Sequence, residues 1–370
     1  MLFARLGMAN DRLAAYTSLL YLPWVIKFLW SPSVDTCRTK RWWVLVMETA
    51  ISVLTIAIAL SIRLPYTLIL ALFLMTAFCS ATHDIAADGY YMLALTDRQQ
   101  AEFVGIRSTF YRLASIFGQG ILIVIAGLLE DRLGDIPIAW SLTLAATGAL
   151  MALLALYHVR YMPRVEATQT EHPRAAEVIR TFIRKPGIGL GIAFLLLYRL
   201  SEGLMVKLTM PFLLDLGFST STIGFINGTA GVIALLLGGI LGGVVIARYG
   251  LRRCLWPMAL ALTIPSLVYI AIAACSITNP WLVGALVSLE QFGYGVGFSA
   301  YMLYMIHLSE GPYKTSHYAI CTAFMALSMM LPGFVAGAIE VAVGYTWFFV
   351  IANACSILTF LVTGMVHKRL

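Results

Sequence analysis

Of 370 residues, 60% are hydrophobic and only 12% charged, about half the charged share of an ordinary soluble domain. That composition excludes a soluble globular protein. The net charge of +7 does not point to nucleic acid, because the basic residues sort by loop between long apolar runs, as orientation in a membrane requires.

Apolar runs of about 20 residues recur along the chain, each able to cross a hydrocarbon core of about 30 Å at 1.5 Å per residue. Eleven membrane helices are predicted, near 12–30, 43–62, 66–94, 103–129, 137–158, 188–214, 221–247, 254–275, 281–308, 315–339 and 346–366. The longer runs are expected to tilt or bend. The first ten residues lack a long apolar core and lead into a span, so no cleavable signal peptide is expected. Between 159 and 187 the chain turns polar and basic, with Pro163, Pro173 and Pro186, and Ala175–Ile183 has the pattern of a short amphipathic helix.

Sixteen of the 25 Lys and Arg residues fall on one set of alternating loops, and only Arg5, Arg12, Arg63 and Arg132 on the other. This bias makes the C-terminus cytoplasmic, and with eleven spans it starts Met1 outside. Leu22–Asp35 leads into Arg38-Thr-Lys-Arg41, and Gly242–Arg253 repeats that device about 210 residues later. One span precedes the first copy, but two lie between 188 and 253. By this parallel a helix of roughly 30 residues is missing before Met1, and the parent has six plus six helices about a pseudo-two-fold axis. The expected organisation is an N-terminal bundle over 1–158, a cytoplasmic linker over 159–187 and a C-terminal six-helix bundle over 188–370.

Arg248-Tyr-Gly-Leu-Arg-Arg253 resembles the latter part of the Gly-x-x-x-Asp-Arg-x-Gly-Arg-Arg loop of the major facilitator superfamily. The first copy, Asp35 followed by Arg38, Lys40 and Arg41, lacks the glycine. Three further segments, Lys27–Asp35, Ala81–Gly89 and Glu290–Tyr301, resemble the AmpG-type muropeptide permeases across both halves. His83 stands where that family usually has Gln, and Gly89 where it often has Ala. The resemblance implies an all-α major facilitator fold and a proton-driven carrier in the bacterial inner membrane. Such a carrier brings GlcNAc-anhydro-MurNAc peptides into the cytoplasm. The wider family also includes acetyl-CoA carriers, so another sugar, peptide or CoA-type solute is the alternative cargo.

Within the run 66–94, His83, Asp84 and Asp88 interrupt an apolar sequence, the two carboxylates four residues apart on one helix face. A carboxylate at bilayer depth costs about 2.5–3.5 kcal/mol on insertion scales, an expense that marks a substrate or proton path. Two readings stand: these three residues handle a proton or cargo, or the aspartates pair with Arg107 or Arg112 of the next span and hold the bundle together. Arg112 is the deeper arginine and the candidate for binding a cargo carboxylate. Arg199 and Glu202, at i and i+3, form either a mobile gate or a neutral anchor. Glu290 opens a tract spaced by Gly293, Gly295 and Gly297, which suits close helix packing or a polar cavity rather than a nucleotide loop. Tyr91, Tyr294 and Tyr301 are candidate sugar-stacking residues, and Asp35, Arg38, Arg41, Arg248, Arg252 and Arg253 either latch the cytoplasmic ends or only set topology.

Cys37, Cys79, Cys254, Cys275, Cys321 and Cys355 show no C-x-x-C pairing, so neither a disulfide framework nor a metal site is expected. No Walker-type loop is present, and no cofactor is expected. An intramembrane transferase using His83 and Asp84 is the competing class, disfavoured because an enzyme needs neither duplicated halves nor duplicated latches. The expected partners are a small solute, protons and the lipid bilayer, and a monomer is expected.

Overall fold

The computed structural model describes residues 1–165, 175–311 and 313–369. Side chains at several helical positions, Asp35, Arg98 and Arg107 among them, lie outside the described set. Among the described residues every regular element is helical, and seven stretches are long and apolar enough to cross a membrane: Lys40–Leu60, Tyr66–Ala94, Phe110–Leu133, Ile136–Tyr161, Thr220–Tyr249, Leu251–Ala274 and Ser316–His367. Length and composition alone do not confirm the count of eleven. The run at 281–308 is one helix, Pro280–Ser309. The runs at 315–339 and 346–366 lie on either side of a sharp break at Gly344, whose φ of 76° favours glycine.

Two expected spans are broken. The run at 12–30 becomes Asn10–Leu19, Leu22–Ile26, a 3₁₀ turn Lys27–Leu29 and Ser31–Thr36, with Pro23 starting the second piece. The run at 188–214 becomes Ile188–Leu197, Leu200–Met205 and Thr209–Asp215. Carbonyls freed at the second break are taken up by side chains: the Thr359 hydroxyl lies 3.3 Å from the Leu197 oxygen and 3.1 Å from that of Tyr198. The Tyr301 hydroxyl donates to the Leu195 carbonyl at 2.8 Å. Backbone left unpaired at membrane depth would cost several kcal/mol per group, so such a break persists only with these acceptors satisfied.

The chain forms two compact units. One comprises Leu20–Leu113 and Leu128–Ala175. There Ser52 donates to the Gly148 carbonyl at 2.8 Å and Ser141 to that of Ala59 at 2.6 Å, binding Lys40–Leu60 to Ile136–Tyr161. Arg41 closes the same pair at the far end by donating to the Val159 and Met162 carbonyls at 2.7 and 2.9 Å, a C-terminal cap for Ile136–Tyr161.

The other unit comprises Met1–Leu19, Ala114–Gly127 and Ala176–Leu370. In lipid the hydrophobic effect does not drive helices together, so close contact depends on small residues. A Cβ added at Gly238 would lie 2.0 Å from the Phe292 oxygen, and one at Gly295 2.1 Å from that of Leu235, so Val232–Tyr249 and Pro280–Ser309 meet backbone to backbone. Asn10–Leu19 seats on Lys314–Ala354 in the same way, a Cβ at Gly337 falling 2.1 Å from the Asn10 oxygen. The amphipathic helix expected over Ala175–Ile183 is present, with Val178 and Phe182 buried. Lys185 beside it donates to the Leu308 and Glu310 carbonyls at 2.6 and 2.8 Å, capping Pro280–Ser309, and burial holds its ammonium below the usual lysine range.

Candidate functional site

In the first unit, the helix Tyr66–Ala94 carries His83, Asp84 and Asp88. The break in the first expected span delivers their neighbours: Lys27, in the 3₁₀ turn, donates to Asp84 Oδ2 at 3.0 Å, and Trp30 donates to Thr82 Oγ1 at 3.1 Å. Among the described residues it is thus a lysine, rather than an arginine of the following helix, that meets Asp84. The Arg107 side chain is outside the described residues, and Arg112 is half-buried. The Asp84 side chain remains 44% exposed, against 18% for Lys27, so this ion pair is open to water on the carboxylate side. His83 lies within electrostatic reach of Asp84, Glu48 and His158. Glu48, 7% exposed, binds His158 Nδ1 at 2.8 Å. Asp88 and Tyr91 are half-buried on the same helix. The Lys40 stem crosses Gly89, where a Cβ would sit 2.8 Å from the lysine Cε. Because that stem is flexible, the contact does not by itself demand glycine.

In the second unit, the break between Leu197 and Leu200 presents Arg199 to an aromatic box. Its guanidinium lies 5.3 Å from the Tyr294 ring centre, 4.7 Å from Phe298 and 5.5 Å from Tyr301, and bonds the Tyr294 hydroxyl. Glu202 follows one turn on. Glu290, on Pro280–Ser309, accepts from Gln291 at 2.8 Å and from the Tyr269 hydroxyl at 3.3 Å. Tyr301 is fully buried and stacks near Tyr198 and Phe298, whereas Tyr294 is half-buried.

At the turns near Gly217 and Gly344 the second unit carries a polar knot. The Asn10 amide donates to Glu340 Oε2 at 2.9 Å and to the Tyr345 hydroxyl at 2.8 Å, and that hydroxyl donates to Asp215 Oδ2 at 2.5 Å. Its other end carries the basic turn, where Arg248, Arg252 and Arg253 are exposed and a groove of about 350 Å³ is lined by Arg252, His307 and Glu310 among others. Tyr313 there donates to Glu177 at 2.7 Å, which raises its hydroxyl above the usual tyrosine range. In the first unit Arg38 is exposed over the Trp42 ring at 5.9 Å, and the Asp35 side chain lies outside the described residues.

Sequence reasoning passed over Glu48, His158, Tyr269, Gln291, Asn10, Asp215, Glu340 and Tyr345. Glu48 and Glu340 carried a usable signal, a single carboxylate inside an apolar run. The others are ordinary residues until the fold sets them beside a charge.

No protein-family model matches the chain. It is 27% identical over 354 residues to the anhydromuropeptide permease of Escherichia coli, covering 92% of this chain and 70% of that protein. An uncharacterized protein of Haemophilus influenzae is 26% identical over 360 residues, covering 92% and 83%. The crystal structure of the nucleoside transporter NupG superposes with a TM-score of 0.75 at 16% identity, over 99% of this chain and 92% of that one. The chain is thus a multi-pass membrane protein that shares the major facilitator fold of that solved transporter and is similar in sequence to the AmpG-type permeases.

Proposed function

We propose that the protein is a proton-coupled importer of cell-wall muropeptides in the bacterial inner membrane, working by alternating access between an N-terminal bundle and a C-terminal six-helix bundle joined at 159–187, with the C-terminus cytoplasmic. The observation that supports this best is the near full-length similarity to an anhydromuropeptide permease, together with the polar cluster around Asp84 inside the apolar helix Tyr66–Ala94. In this reading His83, Asp84 and Asp88 carry the proton. Lys27 competes with that proton for Asp84, so protonation of the carboxyl releases the lysine and loosens the broken helix that bears it. Arg112 takes a cargo carboxylate through its planar fork, and Tyr91 and Tyr294 offer ring faces to the sugars. The basic residues Arg38, Arg41, Arg248, Arg252 and Arg253 hold the cytoplasmic ends.

One proton falling through 100 mV supplies about 2.3 kcal/mol, enough to concentrate a scarce solute roughly fifty-fold. The test is uptake of labelled GlcNAc-anhydro-MurNAc peptide into proteoliposomes under a pH gradient, comparing wild type with Asp88→Asn. Gradient-dependent uptake that disappears in the variant is the expected result. A folded wild-type protein that moves no muropeptide sinks the cargo assignment and turns the search to other sugar, peptide or CoA-type solutes.

A further inference from the structure

A buried carboxylate in the first unit takes no part in the proton path proposed above. Glu48 stands in the apolar helix Lys40–Leu60 with 7% of its surface exposed. Both of its oxygens face one imidazole: His158 Nδ1 lies 2.8 Å from Oε2 and 3.1 Å from Oε1. His158 belongs to the last turn of Ile136–Tyr161, beside exposed Tyr157 and Tyr161, and its own side chain is 38% exposed. The pair therefore joins a dry carboxylate to a ring that reaches the helix end, which is cytoplasmic in the reading above.

Most other charges on the elements packed around the pair are engaged elsewhere. On Lys40–Leu60, Arg41 donates to the Val159 and Met162 carbonyls, and Lys40 to that of Val34 at 3.2 Å. On Ile136–Tyr161, Arg160 lies over the Tyr161 ring at 5.4 Å. On Tyr66–Ala94, Asp84 is held by Lys27, Asp88 lies one turn further on, and the Tyr90 hydroxyl donates to the Pro163 carbonyl at 2.9 Å. His83 of that helix lies within electrostatic reach of both Glu48 and His158, and the Asp35 side chain is outside the described residues. Among the described residues it is thus the imidazole that meets the Glu48 charge, which would be costly to bury unanswered. A tie between two helices needs only a hydrogen bond, which an uncharged amide would supply. An imidazole differs from an amide in having two ring nitrogens, one able to release a proton while the other keeps its hydrogen bond.

We propose that Glu48 and His158 form the port through which the coupled proton leaves this unit for water. The pairing stands on the local geometry, whereas its use in transport rests on the proton-coupled reading above. The carboxyl O–H bond of protonated Glu48 breaks as an N–H bond forms at His158 Nδ1, giving a carboxylate and an imidazolium. The Nε2–H bond then breaks with its electron pair kept by the ring, and the proton passes to water. What remains is a neutral ring whose Nδ1–H donates to the Glu48 carboxylate. Proton exchange between water and the half-exposed ring restores the other tautomer.

The test compares wild type with Glu48→Gln and His158→Gln in proteoliposomes, in two assays. One is accumulation of labelled muropeptide under a pH gradient; the other is counterflow of labelled against unlabelled muropeptide, which needs no net proton movement. Glutamine at either position can keep a hydrogen bond between the two helices but cannot carry the proton. Accumulation is expected to be lost in both variants while counterflow continues near the wild-type rate. Accumulation that survives in either variant overturns the port. Loss of counterflow together with accumulation also overturns it, by assigning the pair to structure. A second measurement needs no cargo: nitrogen NMR on the purified protein carrying isotope-labelled histidine, with the His158 signals identified by their absence from His158→Gln. The expected result is an Nδ1 signal that changes in Glu48→Gln and an Nε2 that exchanges protons with water. An Nε2 closed to exchange overturns the port. Wild type that moves no muropeptide but shows both signals upholds the exchange site and sinks the cargo.

Discussion

The two polar clusters solve the same problem in opposite ways. Around Asp84 the charge is met by a lysine from a broken helix, and the carboxylate stays 44% exposed. In the other unit Glu290 and Glu202 are almost wholly buried, and the Arg199 guanidinium, one turn before Glu202, is boxed by Tyr294, Phe298 and Tyr301. An ion pair open to water is screened and contributes little to stability, while a dry one is costly to break because its survivor cannot be solvated. The comparison teaches that the first cluster is built to respond and the second to hold.

Breaking the dry cluster should have the largest effect. Arg199→Ala empties the box of Tyr294, Phe298 and Tyr301 and removes the guanidinium one turn before buried Glu202, and should cost about 3–5 kcal/mol. Thermal unfolding in detergent would show this as a large fall in Tm, partly restored by adding Glu202→Gln. A fall that the second substitution does not relieve would mean the guanidinium acts through packing alone.

The polar knot comes next. Tyr345→Phe removes the donor to Asp215 and an acceptor for Asn10, and should cost about 1–2 kcal/mol. Hydrogen exchange in Asn10–Leu19 should rise, since that helix is tied to Lys314–Ala354 partly through Asn10. Unchanged exchange would place the whole tie in the close backbone contact at Gly337.

The smallest stability effect should come from the open pair. Lys27→Met is expected to change stability by less than about 1 kcal/mol, as for other half-exposed pairs. Its consequence belongs in function: with the tie between the broken helix and Asp84 cut, gradient-driven uptake should fall while Tm stays close to wild type. A Tm loss as large as that of Arg199→Ala would erase the contrast between the clusters.

Much of the molecule is legible in its sequence. The apolar runs, the polar interruption at His83-Asp84 and the amphipathic Ala175–Ile183 are patterns within one segment, and they appear where the sequence puts them. The likeness to AmpG-type permeases, read from residues 27–35, 81–89 and 290–301, is matched by the anhydromuropeptide permease of Escherichia coli over 92% of the chain. Less legible are the continuity and partners of the helices. The runs at 12–30 and 188–214 read as single spans because hydropathy does not register where a threonine on a distant helix will donate to an open carbonyl. The last two runs, by contrast, are separated where the sequence puts the gap, at Gly344.

What the sequence alone determined is the class of environment each segment needs: lipid for the apolar runs, a polar interior for Asp84, Glu202 and Glu290, and an aqueous end for the basic loops. That follows because transfer free energy is a property of the side chains themselves. Only the tertiary structure decided who answers each charge. Lys27 reaches Asp84 across 57 residues, His158 reaches Glu48 across 110, and Asn10 reaches Glu340 across 330. Such pairings depend on which helices pack together and on where backbone breaks re-aim a side chain, and neither is written in any one segment.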